Sequence, residues 1–501
     1  MFMKIIEKVL IKGIEGLSDC FTEPNDNQED NASQTMLGTV ANLYHPDRYE
    51  KAYIDNEYRL HHKYIVGGSG SGKTKFVENL IRQDILNDHG FLVIDFHGDL
   101  IRNVLCFLST LYYPQYLEEI GQRLILIEPF NDEWAIGFNP LDTADLSFAG
   151  ILELVEVFER FWGNSYWGPR MLELLRAVLV TLSANHLTLL EARPLLTDRN
   201  FRQGLIENVP FREIRDYWMY RYNPLSEKMQ NMYREPVLNK VSAFVTDPAI
   251  YRILGQRRST VDFRQAMDQG KWILLNLSKG QLKGNLRLLG TLFLIKLRQA
   301  SLSRSDMPED ERRPFYLFLD EVENLDLLSH DLETILSQAR KFKLGLTIAH
   351  QNLDQLPREL RSSILANAGT NIFFRLSHHD ASQISSEMDS REKHLIERKL
   401  VDLGKREAFL KIKGQRPRIL KIPYVQSIHV SEDIIAALKN ASFSYWAIPA
   451  NEVEREIEER RTLFTDTDTL SGDSLERSIV LPQDHPSRTD ESIYEEGQNE
   501  W

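Results

Sequence analysis

Apolar and polar positions along this chain follow two alternating periods. Short, nearly unbroken apolar runs occur at Tyr64–Val66, Phe91–Phe96, Leu124–Ile127, Trp272–Leu277, Phe315–Leu319, Leu344–Ala349 and Ile372–Phe374. Runs of this length without polar interruption suit strands buried on both faces. Most are followed by a stretch with helical spacing. The alternation predicts an α/β fold, a mostly parallel sheet with helices on both faces. It breaks once. From about Asp145 to Arg264 the spacing is helical, with runs at Ile151–Phe161, Arg170–Ala184 and Pro210–Tyr222, which predicts an all-helical insertion.

The flanks read differently. Met1–Leu17 is apolar at first sight, but Lys4, Glu7, Lys8, Lys12 and Glu15 interrupt it. That excludes a signal peptide or a membrane span and favours an amphipathic helix with Ile5, Val9, Leu10 and Ile14 on one face. Residues 18–35 are polar and read as a linker. After Ile422 the strand pattern fades, and Glu452–Arg461 reads as one charged helix. The expected organisation is an N-terminal helix and linker (1–60), an α/β core in two parts (61–148 and 265–425), a helical insertion (149–264), and an acidic C-terminal helix and tail (426–501).

Composition adds limits. The 501 residues are 42% hydrophobic and 27% charged, a globular balance, and no run of about 18 apolar residues occurs. Two cysteines, Cys20 and Cys106, cannot build a disulfide framework or a four-thiolate zinc site, and point to a reducing, cytoplasmic setting. The net charge of −13 is unevenly spread. Asn451–Trp501 holds 15 acidic and 5 basic residues, whereas Glu191–Arg264 holds 13 basic and 9 acidic. A basic segment inside a near-neutral body keeps nucleic acid among the possible partners despite the acidic whole.

The strongest chemical signal is Gly67-Gly68-Ser69-Gly70-Ser71-Gly72-Lys73-Thr74, a full match to G-x-x-x-x-G-K-[ST] between a predicted strand and a predicted helix. Glycines allow backbone N–H groups to surround a polyphosphate, and the helix N-terminus adds positive potential. Lys73 is expected to bridge the β- and γ-phosphates of ATP, and Thr74 to ligate Mg²⁺. A second element, Phe315–Leu319 followed by Asp320 and Glu321, ends a buried strand in two carboxylates. Asp320 suits the Mg²⁺ shell and Glu321 the polarisation of a water for attack on the γ-phosphate. Alone, such a pair is equally an acidic helix cap. A third strand, Leu344–Ala349, ends in His350 and Gln351. Gln351 could sense the γ-phosphate or bind backbone at the strand end; His350 is expected to be structural.

These elements, in this order and around a helical insertion, resemble the HerA–FtsK superfamily, and most closely HerA-like motors and the coupling ATPases of type IV secretion. VIDFHGDL (Val93–Leu100), FNPL (Phe138–Leu141), SQARKFKLGLTIAHQN (Ser337–Asn352) and ILANAGTNIFFRLS (Ile364–Ser377) are similar to phrases of that group. The resemblance spans about residues 60–425. It implies a RecA-like P-loop core working as a hexameric ring, with ATP hydrolysed between subunits and DNA threaded through the pore. It also implies an arginine finger. Arg340, eleven residues before Gln351, occupies the family position, and Arg375 is a second candidate; the alternatives are a helix C-terminal charge and a surface arginine. The chain departs from coupling proteins in lacking a membrane-helix pattern, and from HerA in having only 66 residues before Gly67.

No sequence-reading motif is evident, so DNA contacts are expected through phosphates and without base specificity. Candidates are the insertion's aromatics and arginines (Trp162, Tyr166, Trp167, Trp218, Tyr220, Arg221, Tyr222) and Lys279–Lys283. The same aromatics could equally be core. The leading expectation is an ATP-hydrolysing ring motor that translocates DNA, as a helicase or translocase, or drives a DNA-processing complex. The alternative is an ATP-controlled hexameric scaffold that docks and activates an effector, such as a nuclease in a defence or repair complex; the long acidic tail suits it.

Overall fold

The computed structural model describes residues 33–42, 45–111, 116–142, 148–161, 168–278, 283–325, 329–388 and 392–465. The N-terminal helix expected over Met1–Leu17, Cys20, most of the Lys279–Lys283 loop, Trp162, Tyr166, Trp167 and the tail beyond Thr465 lie outside them.

Thirteen strands are described: β1 (Gln34–Asn42), β2 (His45–Asp55), β3 (Lys63–Val66), β4 (Gly90–Asp95), β5 (Leu124–Ile127), β6 (Trp134–Ala135), β7 (Trp272–Asn276), β8 (Phe315–Asp320), β9 (Leu344–His350), β10 (Thr370–Phe373), β11 (Glu407–Ile412), β12 (Arg418–Lys421) and β13 (Ile448–Pro449). The helices include α1 (Lys73–Leu86), α2 (Asp99–Thr110), α3 (Leu117–Arg123), α4 (Phe148–Phe161), α5 (Pro169–Ala184), α6 (Glu227–Val245), α7 (Lys283–Ser303), α8 (Glu432–Trp446) and α9 (Ala450–Thr465). Eleven strands form one sheet in the order β2-β1-β12-β11-β10-β3-β9-β8-β4-β7-β5. From β10 to β5 every pairing is parallel.

Every apolar run named from the sequence is a strand of this parallel part. Its strands are apolar on both faces because both are covered: Leu92 and Ile94 face one core cluster, Phe91 and Val93 the other. Between β6 and β7 the described elements are helical, from α4 to Phe263–Asp268.

Two expectations need correction. Residues 34–55, read as part of a helix-and-linker segment, are strands β1 and β2, joined antiparallel to β12 in the main sheet. Their outer face is solvated, so β2 (HPDRYEKAYID) reads as charged, while inward Leu37, Val40, Ala52 and Ile54 are buried. Such alternation is a weaker signal than an unbroken apolar run. The segment after 426 is equally part of the body up to Thr465. α8 lies along the edge strand β5, where Ser442 donates to the Leu124 carbonyl (2.7 Å) and accepts from the Leu126 N–H (3.0 Å). Helix α9 buries Val453 and Ile457, and its Arg460 pairs with Glu191 of the helical segment at 3.2 Å.

Candidate functional site: a phosphate loop and two carboxylates at one sheet edge

The phosphate loop hangs between the ends of β9 and β10. The Gly67 N–H donates to the His350 carbonyl (3.3 Å) and the Gly68 N–H to the Arg375 carbonyl (3.4 Å). Phe374 lies directly beneath, so a Cβ on Gly67 would stand 2.4 Å from its Cβ. Gly70 and Gly72 have φ of 74° and 108°, in the left-handed region that glycine enters without strain. The loop closes through the Ser71 N–H to the Gly68 carbonyl (3.2 Å). Helix α1 then begins at Lys73 with Gly72 as its cap residue, and no side chain caps it. Its first-turn N–H groups and dipole are thus presented at the loop. The far end of α1 is pinned by the buried pair Asp84–Arg59, with the Arg59 guanidinium 3.7 Å above the Tyr316 ring.

The carboxylates arrive from β8. Its register sets Asp320 beside Ala349, two strands from the loop. Lys73 Nζ stands 3.7 Å from Asp320 Oδ1, and Thr74 Oγ1 donates to Asp320 Oδ2 at 3.3 Å. Asp320 is 6% exposed, and its Oδ1 is buried with no hydrogen-bond partner. Burial raises its pKa, the Asp95 and Glu321 charges add to this, and Lys73 and Thr74 oppose it. A hydroxyl and a buried, under-satisfied carboxylate side by side are hard oxygen donors of the kind Mg²⁺ takes, so these residues fit that ion.

Glu321 leaves the strand with φ of 57°, an uncommon conformation for a side-chain-bearing residue, which swings its carboxylate towards β9 and β4. Gln351 Nε2 donates to its Oε1 at 2.8 Å, and the His97 ring nitrogen Nε2 lies against Oε2. Both oxygens are therefore engaged. Glu321 and Gln351 thus meet, as their positions at strand ends led one to expect.

His350 has the structural role expected of it. Its ring contacts the Asn352 carbonyl (2.8 Å) and the Tyr64 hydroxyl (2.7 Å), and burial lowers its pKa to about 3, so it stays neutral.

The two finger candidates separate. Arg375 follows β10 at the loop's own edge. Arg340 sits in the short turn Ala339–Phe342 ahead of β9, whereas Gln351 follows that strand's end. Seven residues at about 3.3 Å each put roughly 23 Å of strand between them. The Arg340 guanidinium is exposed, lines a polar cavity with Asp55, Glu57, His61 and Lys343, and makes no hydrogen bond or ion pair among the described residues.

Sequence reasoning overlooked three groups. His97 belongs to VIDFHGDL, where Asp95 takes the N–H groups of His97, Gly98 and Ile101 (2.9, 2.9 and 3.0 Å) and so aims the turn at Glu321. The available signal was a polar cluster at a strand's carboxyl end. Glu323, in the turn after β8, has its pKa raised to about 7, first by burial and then by Glu321. Arg406 precedes β11 at the loop edge with φ of 66°. Of the expected DNA contacts, Trp218 and Tyr222 are fully buried, and Trp218 Nε1 donates to Thr181 Oγ1 at 2.8 Å, so these two are core. Tyr220 is 74% exposed, and Arg221 pairs with Glu173.

Fold and phosphate loop define the class: this is a RecA-like P-loop α/β fold. Residues 242–400 match the family model described as the type IV secretion-system coupling protein DNA-binding domain. No curated protein sequence matches the chain. Among solved structures, the bacterial conjugative coupling protein TrwBdeltaN70 is similar at 14% identity, over 78% of this chain and 89% of that one, with a TM-score of 0.54. TrwB in complex with ADP and Mg²⁺ is similar at 13% identity, over 78% and 91%, with a TM-score of 0.53. VirB4 of Thermoanaerobacter pseudethanolicus is similar at 17% identity, over 80% and 98%, with a TM-score of 0.50. At these identities the likeness is one of fold. No helix among the described residues is long and apolar enough to cross a membrane.

Proposed function

We propose that this chain is a Mg²⁺-dependent ATPase that works as a ring of identical copies, a hexamer in the family pattern, and moves DNA. One observation carries the reading. Lys73, Thr74, Asp320, Glu321 and Gln351 converge at one sheet edge, while Arg340 stands unpartnered at the other. A single copy thus holds an incomplete phosphoryl-transfer site, and a second copy could supply the missing cation. The TrwB structure with ADP and Mg²⁺ supports the choice of ligands.

In this reading the loop N–H groups from Gly67 to Gly72, with Ser69 and Ser71 among them, hold the phosphates and Lys73 bridges the β and γ groups. Thr74 and Asp320 would hold Mg²⁺, which neutralises charge between those phosphates when bound. Glu321, once His97 releases Oε2, takes a proton from the attacking water, and Gln351 keeps the carboxylate and that water aligned. Arg340 of a neighbouring copy stabilises charge on the transferring group. Arg375, at the loop's own edge, is placed beside its own subunit's phosphates. The α/β parts (61–148 and 265–425) form the motor core, and the helical segment 149–264 an accessory module.

The DNA part rests on the coupling-protein family match and on the basic excess of Glu191–Arg264. No comparison supports the effector-docking alternative. ATP turnover with and without duplex or single-stranded DNA tests the reading. Stimulation that disappears at high salt is expected. Turnover indifferent to every DNA would refute the motor.

A further inference from the structure

We propose that Tyr424 and Arg406 form the platform on which the base of the bound nucleotide stacks. This rests on the reading of the site as a nucleotide site, and concerns its other end.

The groups suited to the γ-phosphate, Asp320, Glu321 and Gln351, come from β8 and β9, all on one side of β3. A nucleoside polyphosphate is linear. With its γ end on that side, its sugar and base lie on the opposite side, over the ends of β10, β11 and β12. Because β11 is antiparallel to both neighbours, the end of β10, the start of β11 and the end of β12 share the loop's edge. Arg375, Arg406 and Tyr424 occupy those three places. Arg406 is two strand spacings from β3, about 10 Å, and Tyr424 one spacing further.

The local structure is specific. A Cβ on Gly72 would lie 3.9 Å from Arg406 Cα, so the arginine borders the phosphate loop itself. Arg406 holds a left-handed φ of 66° that its side chain does not favour, and its carbonyl accepts the Ile422 N–H at 2.9 Å. That bond ties the two segments together. The Arg406 guanidinium stands 5.6 Å from the Tyr424 ring centroid, while Tyr424 remains 67% exposed. An exposed tyrosine covered on one face by an arginine, beside a phosphate loop, has its other face free for a planar partner. Strained backbone of this kind gathers at ligand sites. Stacking of this type tolerates any base, so adenine and guanine are both accepted.

The test is equilibrium binding of ADP, GDP and inorganic pyrophosphate, each with Mg²⁺, to the full chain. Tyr424→Ala is expected to weaken ADP and GDP by about thirtyfold, the middle of the range for one base–aromatic stack, and to leave pyrophosphate unchanged. Tyr424→Phe keeps the ring and retains wild-type affinity for all three. Unchanged pyrophosphate binding also shows that the variant is folded. Undiminished ADP affinity in Tyr424→Ala, or parallel losses of ADP and pyrophosphate, would overturn the platform and leave the phosphate site standing. A wild-type chain that binds neither ADP nor pyrophosphate would overturn the nucleotide reading itself, and the platform with it.

Discussion

The separation of Arg340 from the phosphate loop sets up a quantitative experiment. Its turn precedes β9, and the loop and Gln351 lie beyond that strand's other end, roughly 23 Å away. No rotamer of one arginine covers that span, so Arg340 cannot serve its own copy's site, and the proposed finger must act on another copy's. Arginine fingers contribute about 10³–10⁵ in rate, or about 4–7 kcal/mol of barrier. Arg340→Ala is therefore expected to bind nucleotide normally and to lose at least about a thousandfold in turnover. Glu321→Gln should be similarly inactive. Neither defect is shared by every interface of a mixed ring. Where an Arg340→Ala subunit supplies the loop and a Glu321→Gln neighbour the arginine, the site is complete. Random equimolar mixing produces that pairing at about one interface in four, whatever the ring size. Phosphate release by the mixture should thus recover to about a quarter of wild type. No recovery on mixing, or an Arg340→Ala protein with wild-type turnover, would refute the assignment.

Three further outcomes follow from particular contacts. His97 engages one oxygen of Glu321, so His97→Ala should raise DNA-independent turnover about fivefold, the worth of one hydrogen bond, at unchanged KM; His97→Gln, which keeps a donor, should restore the wild-type rate. A fall in kcat for His97→Ala would show that the contact aligns the base and does not restrain it. Glu323 has its pKa raised to about 7, so the folded chain holds a proton that the unfolded chain loses near 4.5; stability should fall as pH rises between these values. Nucleotide-free Glu323→Gln should then be more stable than wild type at pH 8, by about 1–2 kcal/mol after discounting for partial exposure, and match wild type at pH 4; an equal difference at both pH values contradicts the burial account. Arg460 ties α9 to Glu191 (3.2 Å) and to the Gly255 carbonyl (2.5 Å), so Arg460→Ala should cost about 3 kcal/mol and expose the chain around Ala447–Ala450 to protease; unchanged melting and cleavage would mean that α9 is held by its apolar face alone.

What could be read in advance followed the strength of the local signal. The parallel strands were legible because both faces are covered, leaving unbroken apolar runs such as Leu124–Ile127, all four residues buried. The loop was legible because close backbone approach at Gly67 and positive φ at Gly70 and Gly72 require glycine. Asp320, Glu321 and Gln351 were legible as polar residues ending such strands. Strands β1 and β2 were not, because a half-solvated antiparallel edge mixes charge into its pattern. Helix α8 was hidden in a stretch without strand spacing, although Ser442 serves the backbone of β5. The approach of His97 to Glu321 depends on a tertiary contact between two strand ends, which neither local sequence specifies. Trp218 and Tyr222 carried a composition compatible with stacking on DNA, but close packing inside the helical segment claims both rings.

The central claim is that this site breaks the β–γ bond of ATP with the help of Mg²⁺ and Glu321. Phosphate release by the purified full chain, with and without Mg²⁺ and beside the Glu321→Gln variant, addresses it directly. The account predicts steady release that needs Mg²⁺ and is abolished in Glu321→Gln, which still binds ATP. Release that continues in Glu321→Gln, or none from the wild-type chain at any protein concentration or with any DNA, would contradict it.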